Sequence, residues 1–218
     1  MIISPGQRFI FVHIPKTGGT AMALALEARA LDDDILIGDT PKARERRGLL
    51  KALTPKGRLW KHSTLADIDG VVSLTALDRM LVFTLVRNPW DRMVSYYTWL
   101  RTQAFDHPAV HLAKASSFTA FLNAPATGTA LRHNPVARYL TDAAGHERTA
   151  LCLRLEHLAQ DLPPLAAHLG WCPQLPLANA SNRPRDWRPS YSDADAALLA
   201  ELAAEDIARF GYRFDPGP

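Results

Sequence analysis

The chain is short of cysteine, of long apolar runs and of net charge, and each shortage removes a class of function. Only Cys152 and Cys172 occur in 218 residues, without metal-ligand spacing, so neither a disulfide framework nor a cysteine-held metal is expected. A reducing compartment is the simpler setting. No stretch reaches the roughly 18 apolar residues of a membrane span. The N-terminus lacks the basic start and long apolar stretch of a secretion signal, and a cytoplasmic protein is expected. The formal charge of +3 does not point to nucleic acid on its own, although it permits an anionic ligand. With 47% hydrophobic and 22% charged residues the chain reads as ordinary globular protein. Its length suits one domain, residues 1–218, with an ample core.

What is present is a pattern of strands that run into helices. Arg8 to Ile14 (RFIFVHI) is short and apolar, as a buried strand is. The loop Pro15 to Gly19 follows, and then an Ala- and Leu-rich helix from Thr20 to Leu31. Met80 to Val86 (MLVFTLV) reads as a second buried strand that feeds a helix reaching about Leu100. Asn88 is its candidate N-cap, Pro89 takes the first helical position, and Asp91 lies in the first turn. Leu151 to Leu155 is a third candidate strand and Gly57 to Lys61 a weaker fourth. Between Arg101 and Thr149 the pattern is helical, broken by Pro108, Pro125 and Pro135. Cys172 to Pro189 is Pro-rich and irregular; Ser192 opens a last helix with Asp195 at the capping-box position. Strands alternating with helices predict an α/β fold, a central parallel sheet flanked by helices.

Both strand–helix junctions carry anion-binding chemistry. In such sheets ligands bind at the carboxyl ends of strands, where Pro15-Lys16-Thr17-Gly18-Gly19-Thr20 stands. Gly18 and Gly19 allow close backbone approach, the helix N-terminus offers N–H groups, and Lys16 adds a full charge. Thr17 and Thr20 are candidate hydroxyl donors. The order is not that of a Walker A loop, because Lys16 precedes the glycines. At the second junction Arg87 ends the strand and Ser95 lies about two turns into the helix, with Arg92 on the face of Ser95. An anion beside this helix can take a forked pair of bonds from Arg87 and a hydroxyl bond from Ser95. Alternatively, Arg87 pairs with Asp91 and Ser95 is an ordinary helix surface residue.

With these residues in hand the sequence resembles the PAPS-dependent sulfotransferases, in particular the group that includes the carbohydrate O-sulfotransferases. PKTGGT at 15–20 is similar to that family's 5′-phosphosulfate loop. LVRNPWDRMVSYY at 85–97 is similar to its 3′-phosphate motif, with Arg87 and Ser95 at the two anion-holding positions. Trp60-Lys61-His62-Ser63 stands where relatives carry a histidine after a strand, and LRLEHL at 153–158 resembles another family segment. Asn179-Ala180-Ser181-Asn182-Arg183 resembles the loop that closes over the nucleotide, placing Asn179, Ser181 and Arg183 among the cofactor-binding candidates. DIARFGYRF at 206–214 resembles the C-terminal signature. The resemblance implies a P-loop-like α/β fold, 3′-phosphoadenosine 5′-phosphosulfate (PAPS) as donor, no metal, and a hydroxylated acceptor. The acceptor stays open among a glycan, a lipid head group and a small alcohol, and the oligomeric state does not follow.

In that reading Lys16 stabilises charge on the leaving phosphate, while backbone N–H groups of Gly18, Gly19 and Thr20 hold the same end. His62 is the candidate base, since a neutral imidazole accepts a proton near neutral pH. His13 is its main rival but lies inside the first strand, where it is expected to point into the core. Asp67, Asp69 and Glu156 are further alternatives. Trp60, Trp90 and Trp99 are candidates to floor an acceptor pocket, although core packing explains them as well. The basic segment Lys42 to Lys61 reads as a solvated face, with an anionic acceptor or peripheral membrane contact as the alternative. It has little aromatic interleaving, so no nucleic-acid partner is expected. Arg185 and Arg188 beside Trp187 are candidates to close over the nucleotide with Arg183. Two competing readings are a nucleotide phosphotransferase and a PAPS-binding protein without catalysis.

Overall fold

Short runs of β-branched and aromatic residues build one five-stranded sheet: β1 (Ile2–Ser4), β2 (Phe9–Val12), β3 (Ile35–Leu36), β4 (Leu81–Val86) and β5 (Leu151–Arg154). The computed structural model describes residues 1–176 and 184–215. These form two compact units, one from Met1–Val86 with the chain from Val136, the other from Arg87–Pro135 with the C-terminal chain. The helices, in chain order, are α1 (Gly19–Glu27), α2 (Pro41–Glu45), α3 (Leu74–Leu77) and α4 (Pro89–Arg101). Next come α5 (Pro108–Ala115), α6 (Phe118–Leu122), α7 (Pro125–Arg132) and α8 (Val136–Leu140). Last are α9 (Leu158–Asp161), α10 (Pro163–Leu169), α11 (Asp193–Leu202) and α12 (Ala204–Phe210).

The first unit contains the whole sheet, in the order β3-β1-β2-β4-β5. Its centre is parallel as expected: β2 runs beside β4 with Phe9 opposite Leu81, and β4 beside β5 with Val86 opposite Arg154. The flank differs, because β1 is antiparallel to both β2 and β3. The cause is local. Residues 5–8 are too few for a parallel crossover, and the turn closes with Arg8 at φ 53 and its N–H on the Pro5 carbonyl. The rings of Phe9, Phe11 and Phe83 pack with centroids 5.1–5.6 Å apart, among Met22 and Leu26 of α1, Leu153 of β5 and Leu165 of α10.

Two expectations are corrected here. Helix α1 stops at Glu27 rather than Leu31, where the Asp34 carboxylate accepts the Leu31 N–H at 2.9 Å in place of a helical carbonyl. Gly57 to Lys61 is not a strand; Lys56 and Gly57 donate to the Asp69 and Asp67 carbonyls, loop against loop.

The second unit is helical. Asn88 caps α4 by accepting the Trp90 N–H at 3.0 Å, with Pro89 opening the helix. Pro108 and Pro125 open α5 and α7, and Pro135 precedes α8, so the prolines mark starts, which cost no hydrogen bond. Ser192 caps α11 by accepting the Asp195 N–H. The Asn88 amide donates to the Arg213 carbonyl at 3.0 Å, and Phe214 packs against Trp90 and Trp187. The C-terminal signature is thereby fastened to the first turn of α4.

Candidate functional site

The first anion loop leaves the carboxyl end of β2 in the centre of the sheet. Lys16 (φ 65) and Gly18 (φ 88) both take left-handed backbone, and α1 begins at Gly19 with no acidic residue in its first turn. Left-handed residues turn successive N–H groups to one side of a loop, and a helix start leaves its first N–H groups without intrahelical acceptors. A phosphate-sized anion fits such a concavity. Gly18 needs its φ, and a Cβ there would also press on the Leu155 side chain at 3.0 Å. Gly19 has no space for a Cβ, because the His13 ring lies directly against it. Thr17 is buried, and its hydroxyl donates to the Ile14 carbonyl at 2.9 Å, so its one proton braces the loop. Thr20 is half-buried on the first turn of α1, and Lys16 is half-buried beside it in sequence.

Two histidines meet beside this loop. His13 is buried just past the end of β2, stacked on Phe11 and edge-on to His62 with ring centroids 4.6 Å apart. Burial above all, with the charge of Lys61 adding to it, holds its pKa well below the usual histidine value, so the ring is neutral. The half-buried His62 places Nδ1 2.7 Å from the His13 carbonyl. A carbonyl only accepts, so Nδ1 carries the proton and Nε2 of the neutral ring carries the lone pair. His62 sits on a turn, not after a strand, and that turn is fixed by Ser63. His13 is in the core as expected, yet its ring and carbonyl touch both the loop and the base candidate. Sequence reasoning missed this, because 49 residues separate the two histidines.

Of the carboxylate alternatives, Asp67 and Asp69 are engaged by local partners. Asp67 accepts from the Thr64 N–H and hydroxyl at 2.7 and 2.9 Å. Asp69 pairs with Lys56 at 2.8 Å, which, with the Gly70 N–H, keeps its pKa low. Glu156 follows Leu155, the residue over Gly18, and Arg154 beside it grips Asp161 with two bonds of 2.7–2.8 Å. In the basic segment Lys61 and Arg47 face Asp39, Lys42 donates to the Glu27 carbonyl, and Arg46 to the Leu31 carbonyl. Much of that charge is therefore taken up within the segment's own surroundings. The core reading of Trp60 is corrected: it is 41% exposed, whereas Trp90 is buried and Trp99 half-buried.

In the second unit Arg87 stands just before the α4 cap and Ser95 is buried two turns along. Arg87 Nε and Nη2 both donate to one Asp91 oxygen, at 2.8 and 2.7 Å. The Arg87–Asp91 half of the local alternative thus holds, whereas Ser95 is buried and not a surface residue of the helix; an anion that takes the same two guanidinium nitrogens has to displace or share Asp91. Arg92 faces the buried Asp206 at 4.0 Å. Trp187 stacks on Trp90, centroids 6.4 Å apart, and Arg188 pairs with Asp186 and Asp215 at 2.8 Å. Arg185 is exposed. Asn179, Ser181 and Arg183 lie outside the described residues.

A family model described as "Sulfotransferase family" matches residues 1–159. No curated protein matches the chain. Among solved structures, mouse sulfotransferase SULT7A1 complexed with PAP is similar in fold, with a TM-score of 0.51 at 17% identity. That match covers 94% of this chain and 85% of the mouse chain.

Proposed function

The chain belongs to the sulfotransferase family, and from that premise we propose that it moves a sulfuryl group from PAPS to a hydroxyl acceptor, with His62 as general base. The observation that carries this reading is the loop from His13 to Thr20. Left-handed Lys16 and Gly18 and an acid-free helix start suit an anion, while an imidazole whose Nδ1–H is held by the His13 carbonyl stands in the same unit. A mouse protein of similar fold is complexed with PAP, which supports the nucleotide part of the reading.

The donor, when bound, supplies a sulfuryl group on a good phosphate leaving group. The N–H groups of Gly18, Gly19 and Thr20 hold the 5′ end, and Lys16 neutralises the charge that builds as the S–O bond breaks. His62 Nε2 takes the acceptor's hydroxyl proton as the new O–S bond forms, and its Nδ1–H stays on the His13 carbonyl throughout. Thr17 keeps the loop's shape and Thr20 its orientation. Arg87 and Ser95 hold the 3′-phosphate, Arg87 exchanging one oxyanion for another. The chemistry asks for no metal. Asn179, Ser181 and Arg183 complete the proposal as nucleotide contacts, and the two free thiols, Cys152 and Cys172, support a reducing, cytoplasmic setting.

The test is thermal unfolding with adenosine 3′,5′-bisphosphate against adenosine 5′-phosphate, ATP and magnesium-ATP. At 100 times its dissociation constant a ligand adds about 2.7 kcal/mol. A preferential shift with the bisphosphate, surviving a chelator and lost in Arg87→Ala, is the expected result. Equal shifts with all four compounds, or none, overturn the assignment.

A further inference from the structure

We infer that the cleft between residues 32–36 and the 3₁₀ helix Arg46–Ala52 is an interface on which a second copy of this chain docks with two-fold symmetry. The cleft lies in the first unit, at the edge of the sheet where β3 is the outermost strand. Asp32, Asp33 and Asp34 with Ile35 form one wall, and Arg46, Leu49, Leu50 and Leu53 form the other. The space between them is about 170 Å³, room for side chains rather than for a single water molecule.

The 3₁₀ helix gains little from its own chain, because none of its seven residues is buried. Such helices have poor hydrogen-bond geometry, and short helices owe most of their stability to packing. Leu49 is 60% exposed, and Leu31, next to the acidic run, is 42% exposed. Single exposed leucines are ordinary. Here, however, Leu49 stands at a cleft whose further apolar lining, Ile35, Leu50 and Leu53, is only half-buried. The cleft is also firmly built: Arg46 Nη1 donates to the Leu31 carbonyl at 2.6 Å and Nη2 lies 3.9 Å from Asp32, tying one wall to the other.

The charges say what covers it. Asp32 and Asp33 are exposed on one wall, and Arg47 and Lys51 are exposed on the helix that forms the other. A lipid surface or a nucleic acid, negative throughout, is repelled by the acidic wall, and a cationic partner by the helix. A face that is acidic on one side, basic on the other and apolar between complements itself. A two-fold axis along the cleft sets each acidic wall opposite the other copy's basic helix and brings the two apolar strips together.

Sedimentation equilibrium of the whole chain from about 1 µM to about 1 mM tests this, with Tm confirming that each variant is folded. A reversible monomer–dimer equilibrium is expected. Leu49→Asp, Asp33→Lys and Lys51→Glu should each weaken it about tenfold or more, because a charge is then buried or like charges face each other. An equimolar mixture of the Asp33→Lys and Lys51→Glu chains should pair within about threefold of wild type, since each wall again meets its opposite. A monomer at every concentration, a dimer indifferent to these changes, or a mixture that does not pair overturns the inference. So does a monomer that sediments with phosphatidylglycerol vesicles, which gives the face to a lipid surface instead.

Discussion

Replacing Gly19 by alanine tests the packing that joins the anion loop to the base candidate. The added methyl group would stand 2.8 Å from His13 Cγ and closer still to Cδ2 and Nε2. The ring cannot swing away cheaply, because it is buried, stacked on Phe11 and edge-on to His62. Overpacking of this kind costs about 1–3 kcal/mol. For a chain of this length each kcal/mol moves Tm by about 2–4 °C, so a fall of roughly 2–12 °C is expected by scanning calorimetry. His13→Ala removes the obstacle, so the two changes are not additive. The double variant should be more stable than the sum of the singles by about 1 kcal/mol or more. Turnover should fall in Gly19→Ala beyond the loss of folded protein, since a displaced His13 carries the His62 Nδ1–H acceptor with it. A Tm within about 1 °C of wild type, or strict additivity in the double variant, refutes the reasoning.

Other expectations concern charge. Asp91→Asn loosens the hold on Arg87, so binding of adenosine 3′,5′-bisphosphate by calorimetric titration should tighten, whereas Arg87→Ala should weaken it about 10–100-fold, the value of charged hydrogen bonds. Lys16→Gln keeps a side chain able to adopt the same backbone and removes the charge; turnover should drop about 10²–10³-fold in an initial-rate assay, with Tm little changed. His13 has a folded pKa below its unfolded value, so below about pH 6.5 the unfolded chain takes a proton that the fold refuses. Stability should therefore fall as pH drops from 6.5 toward 5, by up to about 1.4 kcal/mol per pH unit, and denaturant titrations of His13→Asn should show a shallower slope. Asp195 is different: burial would raise its pKa, but Thr119, Asn123 and Ser192 outweigh that and lower it. Its contribution is present above about pH 3.9 and lost as pH falls through the depressed value, so Asp195→Asn should flatten the acid end of the stability curve.

Legibility followed the range of the forces involved. The β2–loop–α1 and β4–α4 junctions were readable because a strand run, glycines for left-handed backbone, a cap at Asn88 and a proline at Pro89 all act within a few residues. The proline breaks at 108 and 125 told the helix starts for the same reason. The Arg87–Asp91 pair, four residues apart on one helix end, was foreseeable as an alternative. Strands of two and three residues, β3 and β1, were not found, since neither is long enough to show a period. The supposed strand at 57–61 failed because its backbone partners come from 67 and 69 in another loop.

The sequence by itself determined the α/β alternation, the two anion motifs and the family resemblance that they carry. Only the tertiary structure decided which nitrogen of His62 carries the proton, because that depends on His62 reaching the His13 carbonyl across the fold. It also decided that Thr17 braces the loop, that Gly19 makes room for an imidazole, and that Trp60 faces water. Such facts are set by where the packed core brings distant segments together. Local propensity carries no record of that meeting.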